Sequence, residues 1–250
     1  GDENYARVVY RDERQSVTVG KDGEVEFYLY APNAKKVEIG CLGGFAGTGR
    51  YELEPDGQGG FVGKKKFHFG FHDYHWYVDG VRIWNPKAGV SYGCFSAMNT
   101  FEVAEKGVDF YYLKDVLHGT VSICKYTSSI NRHLKECYVY TPAGYEKHAK
   151  QRYPVLIVES FRWESECVWI HQGKIANMAD RLIAEGKMTE MILVMQKCSK
   201  RKEARIPEEI IQKYRVIPGE EHRAMIKAQD GSDWTSRRHQ LAEQLKNSFR

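Results

Sequence analysis

The residues of this 250-residue chain best suited to chemistry are its serines, histidines and cysteines, because a hydroxyl or thiol beside an imidazole is an activated nucleophile. Ser128, Ser129, Ser160, Ser165, Ser199 and Ser232 are candidate nucleophiles, and His118, His171, His222 and His239 are candidate bases. Cys167 and Cys198 lie near the ends of predicted strands and are candidate thiols, although a buried structural cysteine is the commoner case. Spacing alone assembles no triad from them. His68, His72 and His75 are close enough in sequence to suggest a metal, but only His68 and His72 share a strand face, and neither a metal nor another cofactor is expected. The six cysteines include no CxxC pair, which excludes a simple zinc ribbon or thioredoxin-like motif. A chain of this length makes its own core, so a disulfide framework is not expected either.

These groups must be positioned by the elements around YPVLIVES, Tyr153 to Ser160, the most apolar short run. Its lack of alternation predicts a buried parallel strand covered on both faces. Ligand crevices in open α/β sheets lie beyond the carboxyl ends of strands, which directs attention to ESFRWESE, Glu159 to Glu166. That stretch has no glycine, no histidine and no oxyanion-binding turn. TVSICKY and KECYVYTPAGY read as two antiparallel strands before it, the second ending at the Pro142 and Gly144 turn. After it, Ile175, Met178, Ala179, Leu182 and Ile183 predict one helix over Val168 to Lys187, with Gly186 as its stop. A strand at Met191 to Met195, a helix opening at Pro207, a strand at Arg223 to Ala228 and a last helix over Trp234 to Arg250 complete the order.

The first 109 residues read differently. Short alternating runs at Val25 to Ala31 and around Val37 and Ile39 predict half-buried strands, and Asp22-Gly23 and Asp79-Gly80 predict type I′ hairpin turns. Charge divides at the same place: 13 Lys+Arg against 16 Asp+Glu up to Asp109 gives −3, and 24 against 17 thereafter gives +7. So mild a balance names no partner. The glycine-rich Leu42 to Arg50 lacks a GK[ST] ending and reads as a surface loop. The basic Lys197 to Arg205 reads as a solvated loop, and no nucleic-acid partner is expected. No run approaches the roughly 18 apolar residues of a membrane span, and no signal-peptide core is present. The aromatic run from Phe67 to Pro86 places His72, Tyr74, Trp76 and Val78 on one face and Asp73, His75 and Tyr77 on the other. Core packing is the commoner use of such residues, and stacking on sugar rings is the functional alternative.

FYLYAPNAKKVEI, the stretch Tyr74 to Pro86 and the exit GVDFYYLKDVLHGTV resemble the immunoglobulin-like modules, related to carbohydrate-binding family 48, that precede many bacterial polysaccharide esterases. VYTPAGYEKHAKQRYPVLIV, ANMADRLIAEGKMTEMILVM, QKYRVIPGEEHRAMI and DGSDWTSRRHQLAEQL resemble the feruloyl and enterochelin esterase branch of the α/β-hydrolases, carbohydrate esterase family 1. The resemblance implies two domains: an all-β immunoglobulin-like sandwich over residues 1–106, a linker over 107–120, and an α/β-hydrolase-like domain over 121–250.

Family chemistry needs a serine on a G-x-S-x-G turn, a histidine base, an acid and backbone N–H donors for the oxyanion. At the matching positions the oxyanion glycines are replaced by Glu159, Ser160, Phe161 and Arg162, the nucleophile elbow by Lys227 to Asp230 with Gln229 in it, and the histidine by Ser232. A hydroxyl is far too weak a base for that task. Landmarks that the family separates by several elements stand a few residues apart between Ile226 and Gly231, so the hydrolase domain is expected to be truncated, with an exposed edge that a second copy pairs with. The expected function is that of a degenerate esterase without residual catalytic residues, binding a polysaccharide, an oligosaccharide or a partner protein. Tyr74, Trp76, Trp163 and Trp234 are the aromatic candidates for that binding. The rival expectation is an active carbohydrate esterase that cleaves feruloyl or acetyl groups in a rearranged site. Family members are commonly exported, which implies a place outside the cytoplasm.

Overall fold

The computed structural model describes residues 14–41, 49–93, 96–129, 131–161, 164–197, 206, 208–227 and 234–250, and is mostly β-sheet with few helices. Leu42 to Thr48 of the glycine-rich loop, Cys198 to Arg205 of the basic loop, and Trp163, Ser199, Gln229 and Ser232 lie outside the described residues. The chain forms two compact units, which divide at Asp109 and Phe110.

The first unit holds β1 (Val17–Val19), β2 (Glu24–Tyr30), β3 (Val37–Cys41), β4 (Arg50–Pro55), β5 (Gly60–Lys66), β6 (Gly70–Val78), β7 (Val81–Ile83), β8 (Val90–Gly93) and β9 (Ser96–Val103). They form one sheet in the order β1-β2-β5-β4-β3-β6-β9-β8, with β7 also on β6. β2 and β6 are four strand spacings apart on that path, about 19 Å if the sheet were flat. Yet the rings of Phe27 on β2 and Tyr74 on β6 are 5.5 Å apart. The sheet therefore folds back on itself around a shared core, with Phe27 edge-on to Phe67, Tyr74, Trp76 and Phe101. Such pairs add about 0.5–1.5 kcal/mol each beyond the area they bury.

Both Asp-Gly pairs have positive φ, but they serve different turns. Asp79 (φ 49) and Gly80 (φ 83) close a two-residue hairpin between the paired Val78 and Val81, as expected. Asp22 (φ 58) and Gly23 (φ 81) sit in a longer connection, because the last β1–β2 pair is Val19 with Val25.

The second unit contains β10 (Thr120–Thr127), β11 (Leu134–Thr141), β12 (Tyr153–Ser160), α1 (Val168–His171), α2 (Ile175–Ala184), β13 (Ile192–Lys197), α3 (Glu208–Lys213), β14 (Val216–Arg223) and α4 (Trp234–Asn247), whose first three residues group with the first unit. Its sheet has the order β10-β11-β13-β12-β14. β10 and β11 are antiparallel, β11 meets β13 antiparallel, and β12 lies parallel between β13 and β14. β12 is buried from Tyr153 to Val158, as its unbroken apolar run predicts. None of the described helices is long and apolar enough to cross a membrane.

Two sequence expectations fail here for local reasons. The helix expected over Val168 to Lys187 is two helices, because Gly173 packs so closely on Trp169 that a Cβ would lie 2.6 Å from its carbonyl oxygen, and Lys174 turns left-handed at φ 55. The stop at Gly186 is as expected: Lys187 N–H reaches Leu182 O at 2.8 Å and Gly186 N–H reaches Ile183 O at 3.0 Å, the two bonds of a Schellman cap. The strand expected at Arg223 to Ala228 lies earlier, at Val216–Arg223, with only Arg223 in common. This terminal strand absorbs Pro218 and Gly219 as an irregularity, pairing Tyr153 with Val216 and then Val155 with Glu221.

Candidate functional site

β12, β13 and β14 run in one direction, so their carboxyl ends gather Glu159, Ser160, Gln196 and Arg223 at one end of the sheet. Glu159 and Gln196 are register partners, and the Gln196 amide donates to the Glu159 carboxylate at 3.2 Å. Arg223 grips the same carboxylate through both terminal nitrogens, each at 3.3 Å. The Glu159 charge is thus answered by a guanidinium held in the sheet beside it.

Ser160 is buried, and its hydroxyl lies 3.4 Å from two carbonyl oxygens, those of Glu164 and Gln196. A hydroxyl can donate to a carbonyl, but a carbonyl cannot take its proton. Activation needs a base at about 2.6–3.2 Å, and among the described residues the hydroxyl of Ser160 meets only these two carbonyls.

The turn after β12 is built on a buried ion pair. Glu164 Oε1 meets Arg237 of α4 at 2.7 Å with both side chains under a tenth exposed, and the same guanidinium covers the Phe161 ring at 4.2 Å. The other carboxylate oxygen accepts the Phe161 backbone N–H at 3.3 Å. That N–H is therefore already held by an anion.

The histidines go elsewhere. His118 Nδ1 bonds Asp180 at 2.9 Å, and Asp180 also receives the Gly119 N–H at 2.8 Å and the Tyr140 hydroxyl at 2.7 Å. This is an imidazole oriented by a carboxylate, but at the wrong end: Tyr140 is level with Leu193 and hence with Leu156, while His118 lies three residues beyond Val121 in the opposite direction from Ser160. At about 3.3 Å per residue the two are about 20 Å apart along the strands. His222 stacks on Phe249 at 4.0 Å, and His239 meets Phe110 edge-on at 4.9 Å. His171 is held below the ordinary histidine range, first by burial and then by Lys174. Cys167 is 2.8 Å from Ser165 Oγ, and burial pushes its thiol up, away from the thiolate a nucleophile needs.

Tyr74 and Trp76 do not offer a sugar platform. Both are fully buried, and the Trp76 indole N–H bonds the Tyr74 hydroxyl at 3.2 Å inside the core. Trp234 is buried too. His72 stacks on Phe101 in the same core, its Nε2–H donating to His68 O at 2.8 Å. Among the described residues no cluster of three metal-ligating side chains occurs.

Sequence reasoning missed Arg237 and Arg238, each 1% exposed on α4. The signal was present: they fall three and four residues after Trp234, on the stripe that Leu241 continues. It also missed a polar groove of about 550 Å³ lined by Glu221, His222, Arg223, Gln244, Asn247 and Ser248.

No family model matches the chain. A curated protein of Xylanibacter ruminicola named endo-1,4-beta-xylanase/feruloyl esterase is 34% identical over 183 residues, 71% of this chain. Over that stretch the chain is similar to a protein whose name includes a feruloyl esterase. The chain spans 25% of the length of that relative. Two solved structures share its fold: the enterobactin esterase of Shigella flexneri with enterobactin (TM-score 0.51, 9% identity, 72% of this chain and 54% of that one) and the ferric enterobactin esterase of Salmonella typhimurium (TM-score 0.50, 9% identity, 75% and 57%).

Proposed function

We propose that this esterase-like protein binds polysaccharide outside the cytoplasm and does not hydrolyse esters by the serine mechanism. On this reading the first unit is an immunoglobulin-like module related to carbohydrate-binding family 48, and the second is a shortened α/β-hydrolase-like unit. The observation that carries the reading is the Phe161 N–H bound to the Glu164 carboxylate, beside a Ser160 hydroxyl turned to carbonyls. An oxyanion formed there would meet a fixed negative charge instead of free donors. The feruloyl esterase in the relative's name supports polysaccharide as the ligand class. With Tyr74 and Trp76 buried, the more than half exposed Trp84 offers an aromatic face for stacking on sugar rings. A second copy pairing along the β14 edge is part of the same proposal, and a clean monomer in light scattering would remove it.

The test is labelling with a fluorophosphonate probe beside hydrolysis of methyl ferulate and a short activated acyl ester. The expected outcome is no label and no turnover above buffer, together with retention on an arabinoxylan column that Trp84→Ala weakens. A labelled serine with turnover would establish the rival, an active feruloyl or acetyl esterase with a rearranged site.

A further inference from the structure

Cys124 on β10 and Cys137 on β11 face each other directly in the antiparallel register, on the same face of the sheet. Both are buried, at 4% and 1% exposed, among Tyr145, Tyr153, Val155 and Tyr214. Directly opposed residues in such a ladder have Cα atoms about 4.5–5.5 Å apart, inside the span of about 4.4–6.8 Å that a disulfide bridges. From this geometry we infer that Cys124 and Cys137 form a cross-strand disulfide when the chain folds in an oxidising compartment. Sequence spacing concealed it, since twelve residues separate the two and no motif marks them.

The step needs a disulfide oxidant, such as oxidised glutathione. One protein thiolate attacks a glutathione sulfur and releases one glutathione thiolate; the second protein thiolate then displaces the other. Two cysteine S–H bonds and one glutathione S–S bond become one protein S–S bond and two glutathione thiols, a two-electron oxidation of the pair. Timing follows from burial. Desolvation and the neighbouring Cys124 sulfur push the Cys137 thiol up to about 12, so the folded reduced protein offers almost no thiolate there at neutral pH. The bond therefore forms while the hairpin is still open to solvent, and once formed it is shielded from exchange. It pins the register of β10, the terminal strand of the sheet, against β11.

The experiment refolds the full-length chain from denaturant in reduced and oxidised glutathione mixtures, alkylates it while denatured, and maps the peptides by mass. The expected result is a linked Cys124–Cys137 peptide pair, two hydrogens lighter than the reduced pair, with the oxidised protein melting about 5–10 °C above the reduced one. Already folded reduced protein should form the link far more slowly under the same mixture. A variant with Cys124→Val and Cys137→Val should lose the redox-dependent difference in melting. Alkylation of both residues at every glutathione ratio, or their pairing with Cys41, Cys94, Cys167 or Cys198 instead, would overturn the inference, and that readout on the unmutated chain does not depend on any variant folding.

Discussion

The two ends of β12 each carry a carboxylate cluster, and the clusters differ in what they face. At the amino end Asp180 collects an imidazole, a backbone N–H and a phenol. At the carboxyl end Glu159 and Glu164 are each matched to an arginine. An esterase needs the first kind of cluster where this chain has the second. Among the described residues the acid-oriented histidine meets no serine, and the buried serine meets no histidine. What the difference teaches is that polar content near a sheet says little about catalysis until each donor and acceptor has been assigned to a partner.

Breaking the carboxyl-end cluster should have the largest effect. Arg237→Ala leaves the Glu164 carboxylate buried without its cation, and such a loss costs about 3–5 kcal/mol. Urea unfolding should show it as a lower midpoint. The pair Glu164→Gln with Arg237→Met, which removes both charges and keeps the volume, should recover most of the stability. If the single and the double variant were equally damaged, the ion pair would matter only for its shape.

Asp180 comes next. Replacing it by alanine strands the buried Tyr140 hydroxyl and the half-buried Gly119 N–H, for about 2–3 kcal/mol, and Asp180→Asn should cost less because it can still accept. The same denaturation experiment compares the two ends on one scale. The pH response separates them differently. His171, at the end of α1, and His72 and His75 in the first unit are all held below the ordinary histidine range, with burial the leading cause in each. A folded pKa below the unfolded one, about 6.5, means that the unfolded chain binds more protons in the interval between them. Stability should therefore be complete above about pH 6.5 and fall as pH drops through the interval below it. His171→Gln and His72→Phe should each flatten part of that fall in thermal melts across pH, and an unchanged profile would contradict the assignment.

Much of the fold could be read from the residues, because local signals agreed with tertiary packing. The apolar run at Tyr153, the Asp79-Gly80 turn and the Gly186 stop each do locally what the whole structure requires. The reading failed where tertiary packing overruled local pattern. Gly173 lies within a helical stripe that Trp169 interrupts by crowding it, and the apolar pattern at Arg223 to Ala228 suggests a strand that forms instead at Val216–Arg223, where an edge position tolerates Pro218 and Gly219. The site was legible only in the negative. The absence of glycine from Glu159 to Arg162 is visible in the sequence, but the Glu164–Arg237 pair joins residues 73 apart and no periodicity announces it.

The smallest effect tests how firmly the site end is held. Glu159 and Arg223 are a quarter and about a third exposed, so water screens their attraction, and the coupling in a double-mutant cycle should be below about 1 kcal/mol. Arg223 also lines the polar groove, which on the proposed glycan-binding function places its guanidinium to meet an acidic group on a bound sugar. Glucuronic-acid-substituted xylan should then bind more tightly to the unmutated protein than to Arg223→Ala, while unsubstituted xylan should bind both alike. A coupling of several kcal/mol would instead make the Glu159–Arg223 pair a structural clamp like its buried neighbour, and both ends of β12 would then serve stability alone.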